Sequence, residues 1–405
     1  MNILVGQSGG PTAVINASLF GVIAEGLASS RIDTVYGMVH GIEGFLNGQI
    51  VNLTEYAQSV RIDLLKSTPA SFLGSCRYKL PEDLNSPVYP ELFARFAKMQ
   101  IDAFFYIGGN DSMDTVDKLS RYAETIQSPI RILGIPKTID NDLVLTDHTP
   151  GFGSTAKYAA ATVRNIIWDA GVYDHPVVTI VELMGRNAGW VTAASVLART
   201  KHDRNPYLIY LPEVDFDTEH FLEDVKEALQ QTNSLVVCVS EGLHDAEGRF
   251  LCESAGEAVL DQFGHKMMTG CGKILEQIVR DRIGCKVRSI EINLPQRCSG
   301  AMSSLTDTTE AETAGRYAVQ AAILGSTGCM VSFHRAPGEA YAVTCELIPV
   351  GDVCNKEKKF PLEWIKNGND IDEAFLSYVL PLIQGETPIT YENGLPKLLT
   401  PIYMK

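Results

Sequence analysis

Two short apolar runs, Ile101-Asp102-Ala103-Phe104-Phe105-Tyr106-Ile107 and Ile130-Arg131-Ile132-Leu133-Gly134-Ile135, each stop at a polar turn. The first turn is Gly108-Gly109-Asn110-Asp111-Ser112; the second is Pro136-Lys137-Thr138-Ile139-Asp140-Asn141-Asp142. Helical spacing runs between them from Ser112 to about Thr125. A strand, helix and strand in that order close right-handed with the strands parallel, so both turns emerge side by side at carboxyl ends. One turn offers bare backbone amides. The other offers a lysine, a threonine and two carboxylates. That pairing suits movement of a phosphoryl group onto a hydroxyl.

The rest of the chain repeats the alternation. Strands are expected at Asn2–Val5, Thr34–Val39, Val177–Leu183, Pro206–Leu211, Ser234–Val239, Lys286–Leu294, Cys329–Phe333 and Ala340–Leu347. Helical patterns fall after Val14, from about Thr155 to Trp168, between Arg249 and Gly284, at Ala311–Leu324 and near Ile371–Ile383. Polar or glycine-bearing turns follow most strands. This predicts an α/β protein of two doubly wound lobes with largely parallel sheets and the active site in the cleft between them. Residues 1–150 plus about 299–353 are expected to form one lobe, and 151–298 plus about 354–405 the other.

Composition narrows the partners. With 405 residues and a formal charge of −15, the chain repels nucleic-acid phosphate and anionic membrane, so an anionic substrate needs a local cationic pocket. No apolar run approaches the ~18 residues that span a bilayer. The start, Met1-Asn2-Ile3-Leu4-Val5, reads as a strand rather than a signal peptide. Nine cysteines without a C-x-x-C pair point to reduced thiols and a cytoplasmic location.

Further turns carry candidate anion ligands. Gly6-Gln7-Ser8-Gly9-Gly10 ends the first strand and opens a helix, without the spacing of either the dinucleotide or the Walker phosphate motif. Phe72-Leu73-Gly74-Ser75-Cys76-Arg77 is a polar loop with one guanidinium, suited either to solvent or to a bidentate phosphate clamp. Met184-Gly185-Arg186 follows a buried strand, where a helix is expected to open with an arginine at its start. Pro212-Glu213 and Gln296-Arg297 close two later strands.

Taken together and in this order, these segments resemble the 6-phosphofructokinase family over about the first 300 residues. Within the family, Asp111 and Lys137 resemble the pyrophosphate-dependent branch, since ATP users carry glycine at the first position and short bacterial ATP users carry it at the second. A carboxylate at Asp111 would also meet the α-phosphate of a nucleoside triphosphate with bulk and like charge.

The resemblance implies reversible, Mg²⁺-dependent transfer from pyrophosphate to the 1-hydroxyl of fructose 6-phosphate. Asp140 is then the base, with Thr138 near the same hydroxyl and Lys137, Arg186 and Asp111 completing the catalytic set. Gly9, Arg77, Gly108, Gly109, Asn110 and Ser112 would cradle pyrophosphate. Thr138, Ile139, Asp140, Met184, Gly185, Arg186, Glu213, Arg288, Leu294 and Arg297 would line the sugar phosphate. Arg288 is also placed to reach a neighbouring subunit of a homodimer or homotetramer.

Asn110 stands at the family's magnesium-binding aspartate and is the expected metal contact, although a neutral amide is a poor Mg²⁺ ligand. Leu294 replaces a histidine or tyrosine, and no arginine opens the strand at Val177, leaving room for a longer ketose such as sedoheptulose 7-phosphate. An ATP-dependent kinase and a non-catalytic regulatory member of the family are the alternatives.

Overall fold

A computed structural model describes residues 1–172, 174–255, 270–338 and 340–404. The chain divides into two compact units. The first holds Met1–Ser154, Arg297–Glu357 and Gln384–Lys405, the second Thr155–Gln296 and Lys358–Ile383. In chain order the principal strands are β1 (Asn2–Gln7), β2 (Thr34–Met38), β3 (Ile50–Asn52), β4 (Ile101–Gly108), β5 (Arg131–Pro136), β6 (Val177–Leu183), β7 (Leu208–Tyr210), β8 (Ser234–Ser240), β9 (Lys286–Glu291), β10 (Cys329–Arg335) and β11 (Val343–Pro349).

In the first unit the sheet order is β11-β10-β5-β4-β1-β2-β3. Its centre, from β10 through β2, is parallel, and an antiparallel strand closes each edge. A parallel strand covered on both faces reads as a continuous apolar run, which is why Ile101–Ile107 was recognisable. One face of this sheet packs on the Ile15–Ala28 and Leu305–Ile323 helices through Ile15, Leu19, Val22, Ala314, Ala318 and Val319. The other packs on the Val88–Lys98 and Asn110–Thr125 helices through Leu92, Phe96, Met113, Val116 and Leu119. The Leu305–Ile323 helix is capped by the Ser304 hydroxyl, which accepts from Asp307 N at 3.4 Å.

The second unit is built on a parallel sheet of order β7-β8-β6-β9. Every residue of β6 and β8 is buried, whereas β9 is an edge strand of half-exposed residues. The Thr218–Ala228 helix starts at Asp217, whose carboxylate accepts from His220 N at 2.7 Å. Of the helical pattern expected between Arg249 and Gly284, the helix Cys271–Arg282 is present, and residues 256–269 lie outside the described residues.

Two expectations are corrected. Residues 384–405 join the first unit rather than the second: Leu399 is buried in that unit's core, its N–H donates to Thr68 Oγ1 at 3.0 Å, and Ile402 N donates to Phe72 O. A proline-rich tail carries no periodic pattern to say where its few apolar residues will dock. The helix expected to open at Arg186 begins instead at Trp190, as a single four-residue turn continued by a 3₁₀ segment. Gly185, at φ +143°, turns the chain first.

Candidate active site

In the first unit the two turns lie side by side, as the parallel register requires: Gly108 pairs with Pro136, and Lys137 N donates to Gly108 O at 2.9 Å. A Cβ on Gly108 would stand 1.9 Å from Ser112 Oγ, so any larger residue there must displace Ser112. The Asn110–Thr125 helix starts straight after Gly109, so its first amides point out of the turn. Asp111 is exposed in that first turn, and Ser112 is buried beneath it.

Lys137 is only 3% exposed. Its ammonium donates to Gly10 O at 2.6 Å, so the second turn is tied to the glycine turn after β1. Burial pushes its pKa down to about 8, helped by the positive charges of Arg297 and Arg77 and opposed by Asp140 and Asp142. Those five groups therefore share one small electrostatic neighbourhood. Gly9 takes φ +75°, and its N–H donates to Cys76 O, which brings the loop that carries Arg77 alongside. Arg297 Nη1 lies 3.1 Å from where a Cβ on Gly10 would sit.

The carboxylate turn is held from behind. Thr138 N donates to Pro150 O, Thr149 Oγ1 donates to Thr138 O at 2.9 Å, and Asp140 N donates to Thr138 Oγ1 at 3.1 Å. Ile139 is buried and Asn141 takes a left-handed φ of 53°. Farther along, Asp307 accepts from Gly151 N and Ser154 N, and buried His148 bridges Asp147 (2.8 Å) and Glu310 (2.7 Å). Burial pushes the Asp142 carboxyl well above the carboxylate range, and the negative charges of Asp140 and Glu357 push it the same way. Asp142 Oδ1 is buried and has no hydrogen-bond partner among the described residues.

Asn110, the expected metal contact, has its side-chain amide engaged by backbone groups. Its Nδ2 donates to Lys356 O at 2.5 Å, and its Oδ1 accepts from Asn355 N at 2.6 Å. Both amide atoms are committed to a backbone segment far along the chain, and nothing in the local sequence announces that partner. Among the described residues no three His, Cys, Asp or Glu side chains cluster as a metal site. Hard oxygen donors do exist in Asp140 and in the unpartnered Asp142 Oδ1. They fit an ion held by one or two carboxylates with phosphate oxygens supplying the remainder.

The second unit carries the other candidates. Met184 N donates to Gln296 Oε1 at 3.1 Å, and Gly185 N to Glu241 Oε1 at 3.4 Å; Ser240 Oγ donates to Gly185 O. Arg186 is half-buried, and its buried Nε has no partner among the described residues. Glu213 accepts from Gly189 N and Phe360 N, each at 2.9 Å, so its carboxylate is held by backbone amides. Leu294 is 55% exposed.

Arg297 belongs to the first unit, beside Lys137 and Gly10. Arg288 pairs in register with Thr179, five residues before Met184, and lines a cavity of about 240 Å³ with Asp169 and Ile290. At about 3.3 Å per residue, strand geometry sets it well apart from Arg186 within one chain. Glu357, Glu241 and Asn355 were not foreseen. Glu357 and Asn355 sit in a polar stretch without pattern, and only the strand-end position of Glu241 offered a signal.

A glycine-turn cradle with a buried lysine and a carboxylate pair beside it, on a largely parallel sheet, defines a phosphotransferase architecture. The phosphofructokinase family model matches residues 2–322, and the chain belongs to that family. It is 38% identical to the pyrophosphate–fructose 6-phosphate 1-phosphotransferase of Halomonas elongata over 402 residues, covering 98% of this chain and 95% of the relative. It is 31% identical to a sulfofructose kinase of Alkalicoccus urumqiensis, covering 92% and 96%. The crystal structure of a pyrophosphate-dependent phosphofructokinase from Nitrosospira multiformis matches with TM-score 0.89 at 33% identity, covering 98% of this chain and 96% of that one.

Proposed function

We propose that this chain reversibly transfers a phosphoryl group from pyrophosphate to the 1-hydroxyl of fructose 6-phosphate, giving fructose 1,6-bisphosphate and phosphate. The observation that carries this reading is Lys137, a buried cation between the glycine turns and the Asp140–Asp142 pair, with Asp111 in the adjoining helical turn. Asp140 takes the hydroxyl proton as the oxygen forms its bond to phosphorus and the anhydride P–O bond breaks. Lys137, Arg77 and Arg297 neutralise charge that gathers on the transferring and leaving phosphates. Arg186, with the Met184–Gly185 backbone, binds the phosphate of the sugar. The Glu213 carboxylate fixes Gly189 and so the segment after Arg186. Mg²⁺, held by Asp142 and Asp140 together with substrate oxygens, would supply further charge neutralisation.

One phosphoanhydride exchanged for one phosphoester leaves little driving force, so the reaction runs both ways. No helix of the described residues is long and apolar enough to cross a membrane, and a cytoplasmic homo-oligomer is consistent with Arg288 facing a cavity at an edge strand. Exposed Leu294 favours a second reading for the sugar, in which a longer ketose phosphate such as sedoheptulose 7-phosphate is also accepted.

The deciding assay uses purified protein, Mg²⁺ and fructose 6-phosphate with pyrophosphate or ATP. Turnover with ATP alone overturns the donor assignment. Comparing kcat/KM for the two sugars settles the second reading, which fails if the shorter sugar is strongly preferred.

A further inference from the structure

The Asn110–Thr125 helix begins at the glycine turn, and three sides of its first turns can be followed. Ser112 and Met113 face the sheet, the first packed on Gly108 and the second beneath Gly134. Asp111 presents a carboxylate to solvent. Asn110, Asp114 and Asp117 share the remaining face, as i, i+4 and i+7 positions do. That face is covered by the segment 350–356. Gly351 meets Asp117, a Cβ there lying 3.2 Å from its Oδ1. Asn355 Nδ2 donates to Asp114 Oδ1 at 3.0 Å, and the Asn110 amide clasps Asn355 N and Lys356 O.

The clasp is built on rigid parts. Val350, Val353 and Cys354 are buried in the same apolar cluster as Met113, Val116 and Leu119. Buried Lys118 fixes the other oxygen of Asp114 at 2.6 Å. Asn355 holds a left-handed φ of 60°, a conformation asparagine tolerates better than most residues. Lys356 Nζ turns back onto Asp352 O at 2.8 Å.

We propose that segment 350–356, fastened by Asn110 and Asn355, is a donor-selecting element that confines the phosphoryl donor to pyrophosphate. A donor whose reacting phosphates sit at the glycine turn and which extends past them along this helix meets Asp111 or residues 355–356. Asp111 opposes the first route by charge. The clasped backbone blocks the second by volume. Asn110 is then a positioning residue for this segment. The inference rests on the donor reading above and adds a second, steric barrier to that of Asp111.

The test measures kcat/KM for pyrophosphate, inorganic tripolyphosphate and ATP in wild type, Asn110→Ala and Asn355→Gly. The glycine keeps the left-handed backbone and removes only the bond to Asp114, so it remains informative if Asn110→Ala does not fold. Trypsin cleavage after Lys356 reports loosening of the segment independently of catalysis. The expected result is faster cleavage together with a tripolyphosphate-to-pyrophosphate ratio raised roughly tenfold, the weight of one or two lost hydrogen bonds. An unchanged ratio in a variant whose segment is demonstrably loosened overturns the inference alone, as does an equal loss with every donor. A wild-type enzyme that uses ATP and not pyrophosphate overturns the donor reading itself.

Discussion

Lys137 makes the most exacting prediction, because its charge is costly to keep. The ammonium is enclosed, has a backbone carbonyl at 2.6 Å, and shares its surroundings with Arg297 and Arg77. Burial foremost, then those guanidinium groups, pushes it from 10.5 down to about 8. That drop weighs about 3 kcal/mol toward the neutral amine. The free enzyme therefore loses this cation near pH 8, and only the charged form attracts pyrophosphate. Because kcat/KM reports the free enzyme, it should fall about tenfold per pH unit above the lysine's pKa.

Bound pyrophosphate adds negative charge, which raises the lysine's pKa, so the matching limb in kcat lies at higher pH. Lys137→Arg keeps its charge throughout. Dividing the wild-type profile by the arginine profile removes any titration of pyrophosphate itself. Lys137→Met at neutral pH should lose roughly 10²–10³ in kcat, the scale of removing one transition-state donor. Parallel wild-type and arginine profiles up to the most alkaline pH at which both stay folded would refute the reasoning.

Asp111→Gly should raise the ATP-to-pyrophosphate ratio of kcat/KM or depress pyrophosphate use, and no change in either parameter counts against the charge barrier. Asp140→Asn should lower kcat by about 10²–10⁴ with a much smaller effect on KM, read from initial rates. Gly108→Ala should cost activity and about 1–3 kcal/mol of stability by pushing on Ser112, and adding Ser112→Gly should recover part of both. Burial alone would lower the pKa of His148, but its hydrogen bonds to Asp147 and Glu310 outweigh burial and raise it. A raised folded value means that the stabilisation is complete below the unfolded pKa of about 6.5 and is lost as pH climbs through the folded one. Urea midpoints should therefore decline on that alkaline side in wild type and not in His148→Gln.

From the sequence by itself came the parallel β4–helix–β5 unit and the residues of its two turns. All of these rest on local periodicity and on groups a few residues apart, where covalent geometry limits the options. The second sheet was legible for the same reason, since β6 and β8 are unbroken apolar runs. Arg186 could be read as an anion ligand from its strand-end position, but not as lying outside a helix, because a single glycine at positive φ decided where that helix begins.

Only the tertiary structure decided the charge states and the long-range clasps. Lys137 is a weakened base because the fold buries it and sets Arg297 and Arg77, 160 and 60 positions away, near it, and burial together with Asp140 and Glu357 raises the pKa of Asp142. Asn110, at the head of the most readable motif in the chain, has its amide spoken for by a backbone 245 residues later. Coulomb energy and hydrogen bonds depend on distance in space, and separation along a chain carries no record of it.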